Sequence, residues 1–152
     1  MKEFLVVCFV EKNLPKEFLS GFWPLHVTIV RPFTTELSAI ELTDIVQQVA
    51  TQYSPLTLRA KSREMFGGRH RDIPVTELEK IPEIQQLHED LLVRLGSQIH
   101  FKPPQHDFRP HVTDQKSGQI VVGDEVNLDT LSLIEEEGNR RMIIETSSFN
   151  LQ

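Results

Sequence analysis

Twice in 152 residues the chain writes the same tripeptide: His26-Val27-Thr28 inside WPLHVTIVR, and His111-Val112-Thr113 inside FRPHVTDQK. Shuffling 6 His, 13 Val and 10 Thr into a chain of this length yields about 0.03 copies, so the doubling is not accidental. The β-branched surroundings of each copy favour strands, and along a strand residues i and i+2 face the same way. The His and Thr of each copy therefore share one face while the Val turns to the core. A fold that uses both copies must bring together two strands, each presenting an imidazole and a hydroxyl.

The remaining pattern predicts where those strands lie. FLVVCFV at 4–10 reads as a buried strand, and HVTIVRPF, bracketed by Pro24 and Pro32, as a second. Ser38 followed by Glu41 fits a capping box, and Leu42, Ile45, Val46 and Val49 recur at helical spacing up to about Gln52. Two further strands, 57–66 and 73–78, flank the turn-type cluster Gly67-Gly68-Arg69-His70-Arg71. Pro82 suits the first turn of a second helix whose stripe is Ile84, Leu87, Leu91, Leu92 and Leu95, with Gly96 near its end. The proline-rich loop KPPQHDFRP delivers the second tripeptide, and a hairpin turning at Glu137-Gly138-Asn139 closes the chain. Strands that adjoin in sequence, interrupted by two helices, predict an α+β protein with a largely antiparallel sheet system. No spacer divides residues 1–152, so one domain with two lobes is expected.

Composition limits the function. The formal charge of −6 excludes a protein that grips long nucleic acid by blanket phosphate neutralisation, but leaves room for a small anion at a locally positive site. The longest apolar run is far short of the roughly 20 residues of a membrane-spanning helix, and Glu3 and Glu11 flank it unlike a secretory signal. The single Cys8 lies within that strand and reads as a small buried hydrophobe, which fits a reducing cytoplasm.

Two imidazoles and two hydroxyls suit phosphodiester chemistry. Imidazole titrates near neutrality, so one ring can accept a proton while the other donates one. A phosphoryl transfer needs both at once, because the nucleophile loses a proton as the in-line leaving oxygen gains one. Two His approaching from opposite sides satisfy this, with Thr28 and Thr113 hydrogen-bonding the non-bridging oxygens.

At these residues the chain resembles the two-histidine (2H) phosphoesterase superfamily, which includes the 2'-5' RNA ligase-like and cyclic nucleotide phosphodiesterase proteins. Their hallmark is a pair of H-x-[ST] motifs flanked by apolar strand residues. The likeness extends to the helix carrying Leu87-His88, to FRPHVT and to the closing hairpin. It implies a bilobal α+β fold in which two mainly antiparallel sheets face each other across a pseudo-twofold cleft, with helices on the outside. It implies metal-independent opening of a cyclic phosphate, often 2',3', on a nucleotide or RNA end, with His26 and His111 catalytic and Thr28 and Thr113 on the phosphate. No cofactor and no metal is expected. The expected partner is a small nucleotide or RNA terminus, neither DNA nor membrane, and the protein is expected to be a cytoplasmic monomer. Ligation through a 2'-5' linkage, or binding without turnover, remain the alternatives.

Several residues sit beside this pattern. Asp114 follows Thr113 where the family carries an apolar residue, so either the strand ends there or Asp114 has a partner. Arg31 and Lys116 each stand five residues after a motif His; a regular strand would aim them away from the site, and only a bulge would make them phosphate contacts. Arg69, within the Gly67–Arg71 cluster, could meet an anion, although a plain exposed turn is the simpler reading. Trp23, Phe33, Phe66 and Phe108 could stack on a base, Phe108 foremost, although core packing is the default for aromatics. His100, His106 and His111 with Asp107 and Asp114 match no standard zinc spacing.

Overall fold

The structure is a computed structural model and describes residues 2–150. Along the chain run β1 (Glu3–Phe9), β2 (Glu17–Leu19), β3 (His26–Thr35), α1 (Ala39–Ala50), β4 (Leu56–Phe66), β5 (Ile73–Leu78), α2 (Pro82–Leu95), a short 3-10 turn, β6 (Ile99–Phe101), β7 (His111–Thr113), β8 (Glu125–Leu128), β9 (Thr130–Glu137) and β10 (Arg140–Ser148). Local chemistry sets the helix ends. Glu41 N–H donates to Ser38 Oγ at 3.1 Å and Ser38 N–H donates to the Glu41 carboxylate at 3.1 Å, a complete capping box. Pro82 opens α2, and Gly96, at φ 66°, ends it in a conformation glycine tolerates.

Leu42, Val46 and Val49 of α1 and Ile84, Leu87, Leu91 and Leu95 of α2 pack in one core with Val6, Cys8, Val27 and Val112 of the sheet. Burying each such Val or Leu stabilises the fold by about 1.5–3 kcal/mol. The opposite sheet face carries a smaller cluster, Leu5, Val7, Phe9 and Ile134, with Trp23 packed against it. Burial pushes the Cys8 thiol well above its ordinary pKa, so it is inert. Among the described residues no helix is long and apolar enough to cross a membrane.

The expectation of two sheets facing across a pseudo-twofold cleft is overturned. One curled antiparallel sheet forms a half-barrel in the order β2-β10-β9-β1-β3-β7-β5-β4-β8, with β6 also paired to β3 and both helices outside. The reason is the short β7. Left alone, β3 and β5 would each expose a row of unpaired backbone groups, and β7 satisfies both edges at once. It meets β3 at Val27↔Val112 and β5 at Val75↔Thr113, Thr76↔Val112 and Glu77↔His111. The two tripeptides are therefore neighbours in one sheet instead of opponents in two.

Two irregularities shape what surrounds them. The edge of β3 is divided between β7 near Val27 and β6 at Phe33↔Phe101 to Thr35↔Ile99, and segment 102–110 passes between these contacts. Against β1, β3 also slips: Val7 pairs with Thr28 but Val6 pairs with Val30. This is a bulge. Ile29 and Val30 are consequently both buried in the helix-side core, and the alternation restarts with Arg31 on the side of Thr28.

Candidate active site

An antiparallel register centred on Val27↔Val112 sets His26 beside Thr113 and Thr28 beside His111. Both valines are buried, at 0% and 1% exposure, so the four polar side chains share the opposite face. The two His occupy diagonal positions, about 7–8 Å apart at the backbone. His26 Nδ1 lies 2.8 Å from the Pro24 carbonyl, and His111 Nδ1 lies 2.7 Å from the Arg109 carbonyl. A carbonyl only accepts, so each Nδ1 carries its hydrogen and each neutral ring presents a lone pair at Nε2. Pro24 stands two residues before His26 and Pro110 one before His111, and their fixed φ stiffens the chain that supplies those carbonyls.

The surroundings of the two rings differ. Trp23 covers His26 at 4.4 Å, and its partner on β1 is Phe9, 6.1 Å away edge-on. Burial lowers the His26 pKa to about 4; the Pro24 hydrogen bond opposes this and the charge of His111 adds to it. His111 meets the edge of Phe66 at 4.7 Å, and its partner on β5 is Glu77. Burial lowers its pKa too, opposed by the Arg109 carbonyl and by Glu77. Glu77 is itself gripped by Arg109 through Nε at 2.8 Å and Nη2 at 2.7 Å, which holds its carboxyl below the usual range. Both shifts favour the neutral imidazole in the unliganded protein.

A cleft of about 720 Å³ opens beside Thr28 and His111, between α2, segment 102–110 and the β4–β5 loop. His26 and Thr113 do not line it. Arg31 does, by way of the bulge. Phe108 lines it as well, but one face of its ring is stacked on His88 at 4.2 Å and 6°, and the Lys80 ammonium stands 5.9 Å from its centroid. Arg69 does not reach the cleft, whereas Gly67, Gly68 and Arg71 of the same loop line it. Lys116 is elsewhere too. After β7 ends the chain turns back at Gln115↔Gly118, and the Lys116 ammonium lies 4.2 Å from the Phe22 ring.

Asp114 has both explanations offered for it. β7 stops at Thr113, and the carboxylate of Asp114, on the face opposite the His, takes two hydrogen bonds of 2.7 Å from Arg63, whose Nη1 also donates to the buried Thr76 hydroxyl. Phe33 is fully buried in the core. His100 pairs with Glu36 at 3.3 Å, and among the described residues no three His, Cys, Asp or Glu side chains are grouped to hold a metal ion.

Sequence reasoning passed over Glu77 and Arg109, and of the anion-binding cluster Gly67–Arg71 it singled out Arg69 where the structure brings Arg71 to the cleft. The prolines beside each His were the one legible signal for the carbonyls that orient the rings. Nothing local marks Glu77, because it meets His111 only through strand pairing.

Residues 10–138 match the family model described as the 2'-5' RNA ligase superfamily. No curated protein matches the sequence at a significant level. Among solved structures, TT0787 of Thermus thermophilus is 14% identical with a TM-score of 0.66, each chain being 99% covered. The structure of E. coli LigT complexed with 3'-AMP is 15% identical with a TM-score of 0.59, covering 97% of this chain and 98% of that one. E. coli LigT complexed with phosphate is 14% identical, with a TM-score of 0.58 and coverage of 99% and 98%. At such identities these likenesses establish the fold, while the family model spans most of the chain. Together with the paired His-Val-Thr motifs on adjacent strands, that match makes the chain a member of the 2'-5' RNA ligase superfamily, the two-histidine phosphoesterases.

Proposed function

We propose that the protein opens a 2',3'-cyclic phosphate on a nucleotide or RNA end, with His26 and His111 sharing general acid-base catalysis. The observation that carries this reading is the pairing of the two motifs across Val27↔Val112, with each Nδ1 tied to a carbonyl so that each Nε2 is left for the substrate. One Nε2 takes the proton of water as its oxygen bonds to phosphorus. The other ring, protonated, gives its Nε2 hydrogen to the ribose oxygen as that P–O bond breaks, leaving a nucleoside monophosphate. Thr28 and Thr113 donate to the non-bridging oxygens, whose charge grows in the transition state. The scheme routes every proton through the two rings and calls on no metal.

Membership of the superfamily supports an enzyme that processes cyclic phosphates, and the LigT complexes with 3'-AMP and phosphate support a small nucleotide as ligand. The family description also favours a second reading, in which an RNA 5'-hydroxyl replaces water and a 2'-5' linkage forms. The test is incubation of the purified protein, in chelator, with 2',3'-cyclic AMP and with cyclic-phosphate RNA, with and without a 5'-hydroxyl partner, followed by product identification. Hydrolysis that falls about 10²- to 10⁴-fold in both His26→Ala and His111→Ala is expected. Full activity in both variants overturns the mechanism.

A further inference from the structure

Arg31 is a cation with no carboxylate partner among the described residues, held at the cleft by a break in strand regularity. The bulge that buries both Ile29 and Val30 returns Arg31 to the face of Thr28. Its Nη1 donates to the Lys102 carbonyl at 2.7 Å and its guanidinium lies 4.4 Å from the Phe101 ring centroid, so the plane of the fork is anchored at both a polar and an aromatic contact. Among the described residues it forms no ion pair, whereas Arg109, whose backbone carbonyl orients His111, is already taken by Glu77. Such an oriented fork still has donors to give, and its geometry matches phosphate.

His88 adds to the same wall. Its Nδ1 lies 2.8 Å from the carbonyl of Ile29, the bulge residue that faces neither β6 nor β7. That carbonyl can only accept, so Nδ1 carries the hydrogen, and His88 joins Arg31 in lining the cleft. Of the carboxylates there, Glu64 accepts from Ser62 on β4 and Asp107 lies in segment 102–110; neither pairs with Arg31.

The cleft lies to one side of the motif pair, reaching Thr28 and His111 but not His26 or Thr113. A cyclic phosphate held between the motifs therefore projects its ribose, and whatever is attached at the 5' oxygen, along β3 toward Arg31. Three residues of strand separate Thr28 from Arg31, about 10 Å before the bulge shortens it. That is the scale of one nucleotide unit, with the arginine side chain taking up the difference.

We propose that Arg31, flanked by His88, is a second-phosphate subsite that binds the phosphate on the 5' oxygen of the nucleotide whose cyclic phosphate is opened. The substrates favoured are then 5'-phosphorylated nucleotides or RNA ends, over bare nucleoside cyclic phosphates. This rests on the cyclic-phosphate reading above.

The test compares kcat/KM for 2',3'-cyclic AMP, its 5'-phosphorylated form, and ApA ending in a 2',3'-cyclic phosphate, in the wild type, Arg31→Met and Arg31→Lys. The wild type is expected to favour both 5'-linked substrates about 10- to 100-fold, mainly through KM, the scale of a charge-assisted hydrogen bond. Arg31→Met brings the three substrates level, and Arg31→Lys keeps part of the preference. Equal kcat/KM in the wild type, a preference surviving Arg31→Met, or a preference for the dinucleotide alone overturns the subsite. If no substrate turns over, the cyclic-phosphate reading fails, and calorimetry decides the subsite separately. Adenosine 3',5'-bisphosphate must then bind the wild type about 10- to 100-fold more tightly than 3'-AMP, and equal affinities overturn the proposal even if Arg31→Met does not fold.

Discussion

Val27 and Val112 face each other across β3 and β7, and this one register position places His26 and His111 on a common face. Because a strand's side chains alternate with a period of two, a slip of one residue at this pair would bury one His and expose its Val. The buried valines thus hold this register: both belong to the helix-side core, and moving either would cost the burial of an apolar side chain.

The proposed mechanism needs one imidazole protonated and the other neutral, a state populated only between the pair's two macroscopic pKa values. Burial lowers His26 to about 4 and also pushes His111 below the ordinary histidine value. A bell-shaped kcat/KM profile with its maximum below pH 6.5 is therefore expected. A bound anionic phosphate favours both imidazolium forms, so the kcat profile should lie at higher pH. Rate measurements from pH 4 to 8 check both, and a kcat/KM maximum above pH 7 would count against the paired-histidine scheme.

The same burial links stability to acidity. The unfolded chain protonates His26 near pH 6.5, while the folded chain resists until about pH 4, so the unfolded state binds more protons in this window. The contribution of the neutral His26 is fully present above pH 6.5 and is lost as pH falls toward 4. Urea unfolding at pH 7 and 4.5 should show His26→Gln losing less stability on acidification than the wild type does.

Glu77→Gln removes the negative charge that favours protonated His111 and releases Arg109 from its double hydrogen bond. The His111 pKa should fall further, moving the alkaline limb of kcat/KM to lower pH. Imidazole NMR titration of His111 in both proteins measures the shift directly; an unmoved His111 would show that Arg109 already cancels the carboxylate.

Arg63 and Asp114 tie β4 to the end of β7 on the side away from the site. Their side chains are 41% and 20% exposed, so solvent screening reduces the pair's worth, and Asp114→Ala should cost about 0.5–1 kcal/mol. Thermal melting of Asp114→Ala, Arg63→Ala and the double variant measures the coupling. Strictly additive losses would mean that the bridge contributes nothing.

The shared face of His26, Thr28, His111 and Thr113 was legible in part because the four repeat a spacing that a strand converts into one face per tripeptide. The α1 cap and the stripes of α1 and α2 were legible for the same reason, each being written by residues within a turn or two of one another. Arg31 shows where such reading ends. Strict alternation turns it away from Thr28, and the bulge that reverses it depends on how β3 seats against β1. Trp23 over His26 and Phe108 on His88 likewise depend on contacts between separate segments.

By itself the sequence determined both helices, the longer strands and which side chains of each tripeptide point together, since periodicity and capping are local, whereas the short β2, β6 and β8 carry too few residues to show a period. Only the tertiary structure decided that the tripeptides lie on neighbouring strands of a single curled sheet, that Glu77 stands by one His and Phe9 by the other, and that the cleft opens on the Thr28 side. The physical reason is that strand pairing is made by backbone N–H and C=O groups that nearly every residue carries alike. Which edges meet across 85 positions is settled by the packing of the whole chain.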